Sequence, residues 1–198
     1  MPLFPRAWFE RQDETSLIQI QRDRFLYNWK KVHDEDEYPH YENVIKKLRA
    51  VLSRFEFFLT SNDLGRIEPL QYELTYVNHI LRGHGWNALT EIGKVFPDFA
   101  WRHDQKRFLK NLEGVNWHST FRLPNGAGRL HSRIRHGIRK HDRHPILLLE
   151  FTCRGIGEST TTDAMWQWFD LAHEWIVRGF ADLTADEVQK SIWGREDG

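Results

Sequence analysis

The chain has 198 residues, with Lys plus Arg and Asp plus Glu balanced at 28 each and hydrophobic residues at 40%, which suits one domain of ordinary size with a real core and excludes a disordered chain. The single cysteine, Cys153, excludes an intrachain disulfide and a cysteine-based zinc site within one chain. No apolar run reaches the roughly 20 residues that span a bilayer and the first residues do not read as a signal peptide, so a cytoplasmic protein without membrane partners is expected.

In chain order, Ala7–Glu10 reads as a short strand and Ser16–Lys31 as a hairpin turning at Arg22-Asp23. Ile18, Ile20, Phe25, Tyr27 and Trp29 then share one face, with Gln19, Gln21 and Asn28 on the other. Tyr38-Pro39 sets up a helix start. From Tyr41, the residues Val44, Ile45, Leu48, Val51, Leu52, Phe55, Phe58 and Leu59 keep helical spacing, and Gly65 is the expected left-handed stop. The strand expected at 67–80 alternates Tyr72, Leu74 and Tyr76 with Gln71, Glu73, Thr75 and His79. A period of two with one greasy face means an antiparallel sheet covered on one side only.

Gly83, Gly85, Gly93 and Pro97 break up 81–112, where only 102–112 has weak helical character. So long an irregular stretch suggests a functional loop or lid. Two further strands, 115–123 and 129–140, flank the turn Pro124-Asn125-Gly126-Ala127-Gly128. Pro145–Thr152 (PILLLEFT) is apolar enough to be a central strand. Thr161-Thr162-Asp163 caps a helix running to about Phe180, with Met165, Trp168, Phe169, Ala172, Trp175, Ile176 and Phe180 in its apolar stripe. Thr184-Ala185-Asp186-Glu187 has capping-box spacing for a last short helix. The nine Trp and thirteen Phe are expected to fill the core. The fold class is α+β, read as one curved antiparallel sheet with two long amphipathic helices on its apolar face. The chain is read as a single domain, 1–198, whose halves 1–80 and 113–198 form a pseudo-duplication joined by 81–112.

The blocks LIQIQRDRFLYNWKK (17–31), YPHYENV (38–44) and QYELTYVNHI (71–80), with LLLEFTCRG (147–155) and FADLTADEVQKSIWGRE (180–196) more weakly, resemble the shared blocks of a sporadically distributed bacterial family without assigned function. The resemblance covers most of the chain. It implies a prokaryotic source and a common α+β fold, and it transfers no catalytic residue. Members of that family usually begin with a further segment containing a strand, so this chain reads as a short or truncated member.

Charge is unevenly placed. Between His118 and His144 there are seven Arg or Lys, five His and one acid, Asp142, whereas 158–198 carries nine Asp or Glu against three Lys or Arg. Alternation puts His131, Arg133, Arg135, Gly137 and Arg139 on one strand face, and His118, Thr120 and Arg122 on one face of the neighbouring strand. A two-stranded ribbon presenting Arg122, Arg133, Arg135 and Arg139 suits phosphate contact, or pairs with acids elsewhere in the chain. Glu73 and His79, on one strand face, and His84, across the glycine turn, are the candidates for acid–base work. His136, His141 and His144 sit among cations that repel a metal, so no metal site is expected. Asp170, His173 and Glu174 read as a solvated helix face. Cys153 reads as a buried core thiol. No phosphate-cradling or nucleophile-elbow motif is found, and no cofactor is expected.

Three readings stand open. The favoured one is a non-catalytic interaction or regulatory module with a partner protein or self-association. The second is a nucleic-acid binder using the basic hairpin 118–144, with exposed tryptophans such as Trp86 or Trp101 stacking on bases. The third is a hydrolase or nuclease built on His79, Glu73 and His84.

Overall fold

Chain order alternates three-strand meanders with long helices, and the computed structural model resolves this into two antiparallel open sheets. It describes residues 5–33, 35–99, 101, 106–140 and 142–195, which fall into two compact units, 1–68 and 69–198.

In the first unit, β1 (Ala7–Glu10), β2 (Ser16–Gln21) and β3 (Arg24–Trp29) form a meander in that order. The turn falls at Arg22-Asp23 as expected, with Ile18 opposite Tyr27 and Ile20 opposite Phe25. The helix α1 (His40–Ser61) follows, and Phe55 stacks on Phe25 with ring centroids 5.1 Å apart. Gly65 is left-handed as expected (φ 92°), but the position that closes the helix is Asp63, also left-handed (φ 53°). Leu64 donates its N–H to the Leu59 carbonyl at 2.9 Å and Asp63 to Thr60 at 3.4 Å. That is a Schellman closure, and aspartate tolerates the left-handed position well enough to take it.

The second unit contains β4 (Tyr72–Leu81), the short α2 (Ile92–Val95), β5 (Asn116–Arg122), β6 (Arg129–Ile138), β7 (Pro145–Gly155), α3 (Thr162–Leu183) and α4 (Asp186–Ser191). Its sheet has the order β4-β7-β6-β5, antiparallel throughout. The α+β class stands, but the strands form two sheets, not one. β4 joins this sheet rather than the first hairpin because β7, with Ile146, Leu147, Leu149, Phe151 and Cys153 all buried, takes a neighbour on each edge. Along the chain, β1-β2-β3-α1 and β5-β6-β7-α3 have the same order.

α3 covers one face of the four-stranded sheet. Phe180 meets Phe151 edge-on at 6.5 Å, Tyr72 lies against Trp168 and Phe169, and Cys153 Sγ lies 3.6 Å from the Ala172 carbonyl. Thr161 caps α3 by accepting from the Ala164 N–H at 3.3 Å. The capping box expected at Thr184 does not form. Its hydroxyl instead donates back to the Phe180 carbonyl at 2.6 Å, and the Ala185 N–H is taken by the Val95 carbonyl at 2.8 Å.

That last bond tells against the lid. Trp86, Ile92, Val95 and Phe96 are buried, so 86–96 contributes to the core, and the glycines and proline in and around it shape its path. No helix forms at 106–112, and 102–105 lie outside the described residues. Among the described residues no helix is long and apolar enough to cross a membrane.

Candidate functional site on the open face of the four-stranded sheet

Alternation along the paired strands sends every second residue away from α3. The antiparallel register then sorts these residues into cross-strand rows. The first row reads Glu73, Arg154, Arg129, Arg122 from β4 to β5; the second Thr75, Thr152, His131, Thr120; the third Val77, Glu150, Arg133, His118; the fourth His79, Leu148, Arg135, Asn116. Five arginines thus share one face with two carboxylates. The outer positions, among them Glu73, Arg154, Arg129, Arg122, Thr120 and His118, are exposed.

Both carboxylates are engaged. Glu73 Oε2 accepts from Arg154 Nε at 2.6 Å, and Glu150 lies 3.8 Å from an Arg135 guanidinium nitrogen. Arg133 Nε donates to Asn116 Oδ1 at 3.0 Å. Arg122 and Arg129, directly opposite each other, make no ion pair among the described residues. Like charges facing across a strand pair are unfavourable, and Arg154 extends the conflict to three arginines in adjacent strands.

The backbone beneath that corner is unusually close. A Cβ on Gly128 (φ +130°) would stand 2.0 Å from the Arg154 carbonyl oxygen, and one on Gly155 2.0 Å from the Ala127 carbonyl oxygen. Only glycines let the β5–β6 turn and the end of β7 cross here. Their chain neighbours are Arg129 and Arg154. From the covered side, Trp168 Nε1 donates to the Ala127 carbonyl at 2.8 Å, tying the turn to α3.

In the second row, His131 is half-buried. Its ring stacks on that of His118, with centroids 5.5 Å apart and planes 11° from parallel, and its Nδ1 lies 3.3 Å from Thr120 Oγ1. Burial first, then His118, Arg154 and Arg129, push its pKa below the ordinary histidine value. Thr75 and Thr152 bond to each other at 2.9 Å in the same row.

Of the basic residues expected to act together, Arg122, Arg133 and Arg135 are brought to this face. Arg139 is not. It lies beyond β6 in the turn to β7, where its guanidinium is bound to Asp142. Arg129 shares the parity of His131 and was readable by alternation, whereas Arg154 enters only through the register of β7.

The acid–base group does not assemble. Glu73 and His79 share a face, but six residues of extended strand put them about 20 Å apart, and Glu73 is held by Arg154. His84 is exposed in the turn after β4. Trp86 is buried, donating its indole N–H to the Ile80 carbonyl at 3.2 Å. Trp101 is half-buried, with the Arg107 guanidinium 3.7 Å from its ring centroid. Neither offers an open stacking platform.

His173 departs from the solvated-face reading: its Nδ1 lies 2.9 Å from the Tyr76 hydroxyl, beneath the helix. His136 meets Trp86 edge-on and His144 is exposed, while His141 lies outside the described residues. No group of three metal-ligating side chains occurs among the described residues. Burial pushes the Cys153 thiol up to about 12, as fits an inert core thiol.

No family model, curated protein or solved structure matches the chain.

Proposed function

We propose that the protein is a non-catalytic binding module whose working surface is the open face of the four-stranded sheet, and that this face holds nucleic acid through its phosphates. The observation that carries this reading is the exposed row Arg122, Arg129, Arg154, which sets three like charges side by side with one carboxylate at its end. Facing like charges are unfavourable to folding, whereas a chain of phosphodiesters relieves them. Guanidinium forks match phosphate geometry, and the arginines of β6 at 129, 133 and 135 recur at multiples of about 6.6 Å along one strand. No exposed Trp, Tyr or Phe belongs to the four rows, so binding rests on charge, tolerates sequence and weakens steeply with salt. A cytoplasmic location accords with this reading.

Fluorescence anisotropy of labelled single-stranded and duplex oligonucleotides, at low and moderate salt, tests it. The wild-type protein binds at low salt. Arg133→Glu/Arg135→Glu removes binding while circular dichroism stays native. Absence of binding at low salt ends the reading.

A second reading has its own observation. Asp170, Glu174, Asp182, Asp186 and Glu187 are exposed on α3 and α4, and an acidic helical surface is the complement of a basic sheet face. Head-to-tail self-association then replaces nucleic acid as the partner. It shows as a concentration-dependent mass in sedimentation that disappears in high salt and in the same charge-reversed variant.

A further inference from the structure

We propose that the corner formed by Arg122, Arg129 and Arg154 with the His131–His118 pair is the phosphate anchor of this face, and that it takes up a proton as the phosphate binds. The proposal rests on the nucleic-acid reading and narrows it to one corner and one linkage.

The arginines of the face are not equivalent. Arg133 already donates to Asn116 and Arg135 leans on Glu150, so an incoming anion must displace or share those partners. Arg122 and Arg129 have no ion pair among the described residues to give up, and Arg154 has one, Glu73. The three arginines stand on successive strands, each about 5 Å from the next, so that Arg122 and Arg154 flank Arg129 about 10 Å apart in the hydrogen-bonding direction. A tetrahedral anion set over them is reached from three sides, with several charge-assisted donors available at once. The glycine crossing beneath Gly128 and Gly155, locked by the Trp168–Ala127 hydrogen bond, holds two of the three in place before any ligand arrives.

His131 occupies the adjoining row, one step along the strand face from Arg129. The charged and titratable groups around it are Arg122 and His118 on β5, Arg129, Arg133 and Arg135 on β6, Arg154 and Glu150 on β7, and Glu73 and His79 on β4. Cations dominate that set and disfavour a further positive charge on His131. Without ligand His131 is therefore neutral at pH 7, in keeping with its lowered pKa. A phosphate at the arginine row reverses the local field and favours imidazolium. The bound state then holds more protons than the free state, so affinity rises as pH falls through the bound-state pKa. The gain is bounded at about tenfold per pH unit for one coupled proton.

The test uses a fluorescein-labelled thymidine oligonucleotide, whose bases do not titrate between pH 5.5 and 7.5, with the intact protein at fixed ionic strength. The wild type is expected to bind several-fold more tightly at pH 6 than at pH 7.5. His131→Gln should flatten that profile while still binding at pH 7.5, and Arg122→Gln/Arg129→Gln should weaken binding by on the order of tenfold per arginine. Inorganic phosphate as competitor, and a 5′-phosphorylated strand beside an unphosphorylated one, separate a terminal phosphate from the backbone as the source of the anchored group. Binding that persists undiminished in the double arginine variant, or keeps its pH profile in His131→Gln, overturns the proposal and leaves the nucleic-acid reading standing. Absence of binding by the wild type at every pH defeats both.

Discussion

The two faces of the four-stranded sheet are made from the same strands, one residue out of step, and they obey opposite rules. On the covered face Leu130, Ile134, Leu149, Phe151 and Cys153 are buried, and packing accounts for these side chains. On the open face the alternate residues include Arg129, Arg133, Arg135, Glu150 and Arg154, and in one row Arg122, Arg129 and Arg154 face one another. Packing explains the apolar side chains of the first face. The second leaves Arg122 and Arg129 facing each other without an ion pair among the described residues, and the proposed binding role rests on that difference.

Substitutions that separate stability from binding test the contrast. The largest effect belongs to the covered face. Phe151→Ala should cost about 3–5 kcal/mol, from lost transfer energy and the cavity left behind, read as a lower urea midpoint with an unchanged slope.

Trp168→Phe acts on the link between the faces. It keeps most of the buried area but strands the Ala127 carbonyl, at a cost of about 1–3 kcal/mol. Because that carbonyl sits in the turn before Arg129, some loss of oligonucleotide affinity should accompany the loss of stability.

Arg129→Gln is the smallest in stability and the reverse in kind. Removing one of three facing guanidinium groups should leave the midpoint within about 0.5 kcal/mol of wild type, or above it. The same change should lower the slope of log affinity against log salt by about 0.7 for a single strand. A clear destabilisation by Arg129→Gln would mean that the arginine row supports the fold, and the contrast between the faces would fail.

Much of this was legible in the residues alone. The hairpin at Arg22-Asp23, both long helices, the cap at Thr161, the buried Cys153 and the one-sided polarity of β4 and of the basic hairpin all follow from local spacing. What was not legible depends on pairing at a distance. Nothing in QYELTYVNHI says that it will lie beside β7, yet that choice puts Glu73 on Arg154. Arg154, at the end of an apolar strand, reads as a boundary residue until the register sets it beside Arg129. Glycines and a proline disguised 86–96 as a loop, although Trp86, Ile92, Val95 and Phe96 carry the apolar mass of a core segment. At Asp63 and Thr184 the local rule was sound but a neighbouring residue or a backbone carbonyl met the same need first.

The most direct test of the open face is NMR mapping of the intact protein titrated with a short single-stranded oligonucleotide. The arginine Nε–Hε signals of Arg122, Arg129, Arg133, Arg135 and Arg154 are expected to shift together and saturably, with the methyl signals of Leu130, Ile134 and Leu149 nearly still. Shifts confined to the acidic surface of α3 and α4, to the first unit, or to no residues at all would contradict the assignment of the open face as the binding surface.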